Sequence, residues 1–330
     1  MRNRCNILIV DRMHPALMGI LDELNVDYSY MPEISKAEIQ KIISNFDALI
    51  VRSKIECNTV FLNQNKHLRL VARAGSGMDN IDLEEAERLN IDCINCPEAN
   101  CDAVGEQTVG MLLTLAHNIV KGNNEIGQFV WDREGNRGFE IGYQTIGIIG
   151  YGHTGSAVAR KLSGFGCKVL AYDKYKSGFG GKLVQEVTLN QLLEEADVIS
   201  FHVPLTNETR AWINQDFISS VHKSFGLLNL CRGEIMVTND ILTALETGKI
   251  RFFGADVLEN ENFDKLNDSQ KNILTRLIER SNVVLTPHVG GWTAESFEKI
   301  SVVLGKKIRN WLNKQDKVKN QRATQKNFVG

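Results

Sequence analysis

The amino-acid sequence predicts an α/β protein made of two doubly wound parallel-sheet domains. Three observations carry that reading. The chain has 330 residues, 43% of them hydrophobic, which is more than one compact domain usually holds. Short apolar runs alternate with helix-like periodicity, and that alternation implies parallel sheets covered on both faces. A polar, Gly-containing passage over 121–142 interrupts the alternation once, so it falls into two series.

In the first series Asn6–Val10, Ala48–Val51, Arg69–Ala72 and Ile91–Asn95 read as strands, with Leu17–Leu24, Lys36–Ile43 and Leu83–Leu89 as helices between them. Asp102–Val120 reads as one longer helix linking the domains, with apolar positions at Val104, Met111, Leu112, Leu115 and Ile119. The second series holds six candidate strands: Thr145–Ile149, Lys168–Tyr172, Val198–Phe201, Phe225–Leu230, Phe252–Ala255 and Val283–Leu285. Six strands with helices between them are the inventory of a dinucleotide-binding fold. A last helix is expected over Ala294–Leu312, and the polar, basic tail Asn313–Gly330 is expected to be mobile.

Composition narrows the function classes. The formal charge of −2 is spread along the chain, so no electrostatic footprint for nucleic acid or an anionic membrane is expected, and small soluble partners fit better. The apolar stretch Ile7–Val10 is too short for a signal-peptide core or a membrane span, which makes a cytoplasmic protein the expectation. Seven scattered cysteines, an odd number, read as free thiols. Cys93, Cys96 and Cys101 approach a metal-ligand spacing, but no second Cys/His pair lies nearby to complete four ligands, and no metal is expected.

Directly after Thr145–Ile149 comes Gly150-Tyr151-Gly152-His153-Thr154-Gly155, followed by a helical pattern through Ala157, Val158 and Leu162. This is Gly-x-Gly-x-x-Gly in its strand–turn–helix setting. Gly150 suits the tight turn, Gly152 the close approach of a pyrophosphate, and Gly155 the packing of helix on strand, with the phosphates on the free N–H groups of the helix N-terminus. Asp173 ends the next strand, where an acidic group accepts from ribose hydroxyls and repels a 2′-phosphate, so NAD is expected over NADP. Lys174, its neighbour, works against that discrimination.

Ligands of an open parallel sheet bind at the carboxyl ends of its strands. Here those ends are followed by His202-Val203-Pro204-Leu205-Thr206, by Cys231-Arg232-Gly233, by Asp256 with Glu261 beyond it, and by Thr286-Pro287-His288-Val289-Gly290-Gly291. Hydride transfer to a keto acid needs a cation for the carboxylate and a proton donor for the carbonyl oxygen, helped by a carboxylate beside the donor. Arg232, His288 and Glu261 have the right chemistry for these three roles. The residues alone leave rivals open: Glu259 for Glu261, His153 and His202 for His288, and an ion pair with Asp256 for Arg232.

These stretches, together with Ala255-Asp256-Val257, resemble the D-isomer specific 2-hydroxyacid dehydrogenase family over nearly the whole chain apart from the tail. The resemblance implies a Rossmann NAD-binding domain over 98–287 inserted into a flavodoxin-like substrate domain of 1–97 and 288–330, with Pro287 marking the return. It also implies Arg232, Glu261 and His288 as substrate arginine, charge partner and acid/base, and favours Glu261 over Glu259 because it stands five residues after Asp256. Cofactor contacts extend on this basis to His153, Thr154, Val203, Pro204, Cys231, Arg232, Asp256, His288, Gly290 and Ser76. A homodimer built through the cofactor domain is expected.

Two departures stand out: Asn262-Phe263 where the family usually has proline after the glutamate, and Trp292 where a small polar residue is usual. Within the family the likeness is to phosphoglycerate dehydrogenases, here expected without a C-terminal regulatory domain. Val51-Arg52-Ser53, the stretch Arg73-Ala74-Gly75-Ser76-Gly77-Met78-Asp79-Asn80 and Asn100 resemble their substrate-side motifs. Arg52, Arg73 and Arg133 would then surround a phosphate, with Ser53, Gly75, Ser76, Gly77 and Asn100 as further substrate contacts. The expected substrate is a small 2-hydroxy or 2-keto acid, 3-phosphoglycerate first and in that case in serine biosynthesis. Glyoxylate, hydroxypyruvate, other 2-keto acids and erythronate 4-phosphate are alternatives within enzymes, and a noncatalytic NAD-sensing corepressor-like protein is the alternative outside them.

Overall fold

The computed structural model describes residues 4–326, with residue 316 and residues 318–326 described as helical backbone alone. The chain forms two units, one comprising the residues up to Asn100 and from Trp292 onward, the other Cys101–Gly291.

The first unit begins with β1 (Asn6–Ile9), α1 (Ala16–Glu23), β2 (Asp27–Tyr30), α2 (Lys36–Ile42), β3 (Ala48–Val51), α3 (Thr59–Gln64), β4 (Leu70–Arg73), α4 (Leu83–Arg88) and β5 (Asp92–Ile94). The strands pair in parallel in the order β2-β1-β3-β4-β5, the flavodoxin-like arrangement. Alternate residues feed two cores: Leu8, Leu49, Val51 and Val71 lie on one face, and Ile7, Ile9, Ile50 and Ala72 on the other. β2 and α3 escape the sequence reading for physical reasons. β2, Asp-Tyr-Ser-Tyr, is an edge strand with no fully buried residue and so no apolar run. α3 is shorter than two turns and shows no periodicity; it is set by Asn58, whose side chain accepts from Phe61 N at 3.0 Å.

α5 (Pro97–Ala116) starts before the expected Asp102, since proline is tolerated in a first turn. The single helix expected to reach Val120 breaks at Asn118, whose φ of 52° is left-handed, and α6 (Ile119–Gly127) follows. The second unit continues with β6 (Thr145–Ile149), α7 (His153–Leu162), β7 (Lys168–Tyr172), β8 (Gln185–Glu186), α8 (Leu189–Glu195), β9 (Val198–Phe201), α9 (Gln215–Ser220), β10 (Phe225–Asn229), α10 (Thr238–Glu246), β11 (Ile250–Ala255), α11 (Asp268–Ile278) and β12 (Val283–Leu285). Its sheet has seven parallel strands in the order β12-β11-β10-β9-β6-β7-β8. The strand beyond the expected six is the two-residue β8, paired with β7 at Leu170 and Ala171. The direction of winding reverses between β6 and β9, the switch point at which doubly wound sheets bind ligands.

The first unit is completed by α12 (Ala294–Lys326), which does not end at Leu312 as expected. The stretch 313–326 contains neither glycine nor proline and is rich in lysine and glutamine, which favour helix, so the basic tail expected to be mobile is helical as far as it is described. Its residues 327–330 lie outside the described residues. Leu304 and Ile308 of α12 are fully buried. Trp311 anchors the helix: its indole N–H donates to Asp92 at 2.6 Å while Arg69 lies over the ring at 5.1 Å. Among the described residues no helix is long and apolar enough to cross a membrane. Replacing the buried Trp311 with alanine is expected to remove about 3–5 kcal/mol of stability, the usual cost of truncating a buried tryptophan. Urea unfolding followed by circular dichroism checks this, and a loss under about 1 kcal/mol would contradict the anchoring role.

Candidate active site

The carboxyl end of β6 turns into α7 through Gly150, whose φ of 93° is open to glycine and strained for other residues. A Cβ on Gly155 would stand 2.0 Å from the Gly150 carbonyl oxygen, so only glycine lets α7 start so close to the strand. Gly152 is the N-cap with open space around its missing Cβ, and no side chain caps the helix at His153 or Thr154. The first N–H groups of α7 are therefore presented to an anion. Asp173 clasps this turn: one carboxylate oxygen accepts from Tyr151 N at 2.8 Å, and the other from Tyr175 N at 2.9 Å and Lys176 N at 3.1 Å. Lys174 is engaged by Glu208 at 2.6 Å, and Glu208 also accepts from the Tyr175 hydroxyl at 2.7 Å. A bare helix N-terminus beside a turn without side chains, with a carboxylate at the next strand end, fits a dinucleotide.

After β9, His202 is buried and its Nε2 pairs with Ser200 Oγ at 2.8 Å. Burial pushes its pKa down to about 3, so this histidine is neutral at working pH and is no acid for catalysis. Val203 is half-buried and Pro204 exposed, with the Pro204 carbonyl accepting from Thr209 Oγ1 at 2.7 Å.

After β10 the chain is held by Asn229, which sequence reasoning did not single out. Its side chain is fully buried; Oδ1 accepts from Cys231 N at 3.1 Å and Nδ2 donates to the Arg232 carbonyl at 2.9 Å. Both flanks of Arg232 are thus fixed, and its guanidinium donates to the Cys231 carbonyl at 2.6 Å. Burial pushes the Cys231 thiol up to about 11, so it stays neutral. A polar residue at the end of an otherwise apolar strand, Leu228-Asn229-Leu230, was the available signal.

After β11 stands Asp256, only 2% exposed. Oδ1 accepts from the Thr286 hydroxyl at 2.6 Å and from Val289 N at 2.9 Å, and Oδ2 accepts from Gly290 N at 2.7 Å. The Asp256 carbonyl accepts from His288 N at 2.7 Å. His288, inside this grip, has a φ of 55°, a left-handed conformation uncommon outside glycine.

The two neighbouring glutamates are separated by their partners. Glu259 accepts from the backbone N and hydroxyl of Thr238 at 3.0 and 2.7 Å, whereas Glu261 meets His288 Nδ1 at 2.9 Å. Burial pushes the Glu261 carboxyl up, but the hydrogen bond and charge of His288, with the nearby Arg232 cation, outweigh it and leave its pKa below the ordinary value. Glu261 therefore remains ionised beside the imidazole. Nδ1 is taken by Glu261, which leaves Nε2 as the ring nitrogen for chemistry.

The remaining sequence-predicted residues belong to the first unit, except Arg133, which is exposed on the irregular segment after α6 in the second. Arg52 and Ser53 follow β3; the Arg52 backbone N–H donates to Asp11 at 2.6 Å. Arg73 ends β4, and its guanidinium lies so close to Gly75 that a Cβ there would meet it at 1.6 Å. Ser76 and Gly77 continue that loop, with the Ser76 carbonyl accepting from Asn95 Nδ2 at 2.5 Å, and Asn100 is half-buried in α5.

Residues 109–290 match the family model described as the NAD binding domain of D-isomer specific 2-hydroxyacid dehydrogenases. Over 299 residues the chain is 33% identical to a hydroxypyruvate reductase of Thermotoga maritima, covering 91% of this chain and 94% of that protein. It is 32% identical over 311 residues to a D-3-phosphoglycerate dehydrogenase of Methanocaldococcus jannaschii, covering 93% of this chain but 57% of that protein, so it spans little more than half that relative's length. The crystal structure of D-lactate dehydrogenase from Aquifex aeolicus with NAD and lactic acid superimposes with a TM-score of 0.79 at 26% identity, covering 93% and 95% of the two chains. The cofactor is NAD.

Asp256→Ala would release Thr286, Val289 and Gly290 and let His288 relax from its left-handed backbone. We expect kcat to fall about 10²-fold, the scale of an ångström-sized misplacement of a reacting group. Steady-state kinetics beside a thermal melt checks it, and an unchanged kcat would show that His288 holds its position without Asp256.

Proposed function

Because this chain belongs to the D-isomer specific 2-hydroxyacid dehydrogenase family, NAD-dependent oxidoreductases acting on CH–OH groups, we propose that it interconverts a small 2-hydroxy acid and its 2-keto acid, 3-phosphoglycerate and phosphohydroxypyruvate in the first instance. The observation that carries the reaction is the His288–Glu261 pair at 2.9 Å in the same unit as Arg232 and the Gly150–Gly155 turn. The bound cofactor would supply the redox chemistry at C2, taking up a hydride in its oxidised form and giving one in its reduced form. In reduction His288 Nε2 donates a proton to the carbonyl oxygen; in oxidation it takes the hydroxyl proton. Glu261 holds the ring and balances its charge as it is protonated, and Arg232 pairs the substrate carboxylate through its planar fork.

The cofactor set is Gly150, Gly152, His153, Thr154, Gly155, Asp173, Val203, Pro204, Cys231, Arg232, Asp256, His288, Gly290 and Ser76. The substrate set is Arg52, Ser53, Arg73, Gly75, Ser76, Gly77, Asn100 and Arg133. For the substrate, support comes from Arg52, a half-buried guanidinium that makes no hydrogen bond or ion pair among the described residues. A cation so placed calls for an anionic group, and the phosphate of a three-carbon acid supplies one. Reduction of hydroxypyruvate is the second reading, because the Thermotoga relative of that name is matched over nearly its full length. A noncatalytic NAD-sensing protein is not favoured, since the matched relatives are named as reductases and dehydrogenases.

The test follows NADH with phosphohydroxypyruvate, hydroxypyruvate, glyoxylate, pyruvate and 2-oxoglutarate in turn. Phosphohydroxypyruvate is expected to give the highest kcat/KM, and His288→Ala is expected to lower kcat on it by about 10²–10⁴ with NADH binding retained. Preference for an uncharged side group would remove the phosphate reading, and unaltered turnover in the variant would remove His288 as acid/base.

We infer a homodimer and a cytoplasmic setting as part of the same reading. Ile126, Phe129 and Trp131 are all exposed on one segment of the second unit, Phe129 at 99% and Trp131 at 81%, and exposed apolar residues close together are a feature of interaction surfaces. A second copy of the chain covers this segment most economically through a self-complementary interface. Light scattering is expected to give twice the 37.0 kDa chain mass, and a shift to monomer for Phe129→Asp/Trp131→Asp. A monomeric wild type would refute the dimer.

A further inference from the structure

Trp292 is the first residue of the first unit after the chain returns to it. Its indole lies against the guanidinium of Arg52, with 3.7 Å from the Arg52 Cζ to the ring centroid. That is a close, face-on cation–π contact. Arg52 is otherwise placed by its backbone alone, through the N–H that donates to Asp11 at 2.6 Å. Burial, opposed by the charge of Asp11, pushes the guanidinium pKa down, although arginine remains charged.

The indole is itself braced. Phe297 meets it at 6.0 Å with the rings inclined at 56°, and His14 packs edge-on to Phe297 at 5.9 Å. Next to it, Thr293 caps α12: Thr293 N donates to Ser296 Oγ at 3.0 Å, and Ser296 N to Thr293 Oγ1 at 3.1 Å. The reciprocal pair fixes the backbone beside Trp292. Even so, the Trp292 side of the contact is half open, with 55% of the residue exposed.

A guanidinium hydrogen-bonds only through its in-plane N–H groups, so a ring over one face leaves that edge free for a ligand. The edge is where arginine binds phosphate and carboxylate in the bidentate manner. An arginine loses much side-chain freedom when it grips a ligand, and a ring that already holds the guanidinium against its face removes part of that loss before binding. We propose that Trp292 is the positioning residue that makes Arg52 a selective receptor for an anionic group at the end of the substrate remote from C2. This rests on the reading of Arg52 as a substrate residue. A phosphate monoester is the anion that the proposed substrate carries there; a distal carboxylate meets the same two edge nitrogens and is told apart by the substrate arms of the test.

Compared in the wild type, Trp292→Ala, Trp292→Phe, Arg52→Ala and the double variant, the measured quantities are KM and kcat for phosphohydroxypyruvate, 2-oxoglutarate and hydroxypyruvate. Trp292→Ala is expected to raise KM for phosphohydroxypyruvate about tenfold, within the range of a single cation–π contact, with kcat and the KM for hydroxypyruvate changed less than about twofold. Trp292→Phe, which keeps an aromatic face, is expected to recover most of the loss. The double variant is expected to be no worse than Arg52→Ala, since Trp292 acts through that arginine. A larger effect on 2-oxoglutarate than on the phosphate would identify the anion as a carboxylate and keep the role of Trp292. Equal losses on charged and uncharged substrates, no recovery by phenylalanine, or additive losses in the double variant would overturn it. A wild type indifferent to the distal charge overturns the phosphate reading of function; coupling or additivity of the two substitutions on whichever keto acid is turned over then still decides whether Trp292 works through Arg52.

Discussion

The carboxylate of Asp256 is the contact on which the geometry of the candidate site in the second unit depends. It is buried at the end of β11 and accepts from Thr286, Val289 and Gly290, while its own main chain receives His288 N. A buried carboxylate without partners would be costly, and a histidine at positive φ would revert to an ordinary conformation if nothing opposed it. Each problem is the solution to the other: three donors satisfy the anion, and the anion holds the segment that forces His288 outward toward Glu261.

The same device recurs at other strand ends. Asp173 beyond β7 gathers N–H groups from Tyr151, Tyr175 and Lys176; Asn229 at the end of β10 bridges Cys231 and Arg232; Asp11 after β1 receives the N–H groups of Arg52 and Lys54. Parallel strands end with their carboxyl termini on one edge, and the loops that leave them lack ladder partners. A short polar side chain at that point supplies the missing acceptor and makes the loop as definite as the strand. The candidate side chains on these loops are thereby carried on rigid supports.

Electrostatics then separates residues of one kind into different tasks. Glu259 and Glu261 are two positions apart, yet one caps the turn before α10 through Thr238 and the other faces His288. His202 and His288 both follow strand ends, but burial leaves His202 neutral against Ser200, while His288 keeps an ionised partner and access to solvent. The exposed ion pair of Lys174 with Glu208 places a counter-charge on the lysine that follows Asp173 in the chain.

Much of this was legible in the residues. Buried parallel strands such as Ala48–Val51 and Val198–Phe201 announce themselves as unbroken apolar runs because both faces of the sheet are covered, and the Gly150–Gly155 turn is readable because only glycine fits where helix and strand nearly touch. The edge strand Asp27–Tyr30, the break at Asn118 and the length of α12 were not, because a half-exposed strand has no apolar pattern and a helix end is set by single dihedrals rather than by periodicity. At the site, the sequence by itself determined which residue types could do the chemistry: an arginine, two glutamates and several histidines after strand ends. The resemblance pointed to Glu261 and His288; only the tertiary structure put the two in contact, gave Glu259 to Thr238, and showed that Asn229 and Asp256 hold their neighbours in place and that Trp292 covers Arg52. Those choices depend on distances between residues far apart in the chain, and a one-dimensional pattern carries no distances.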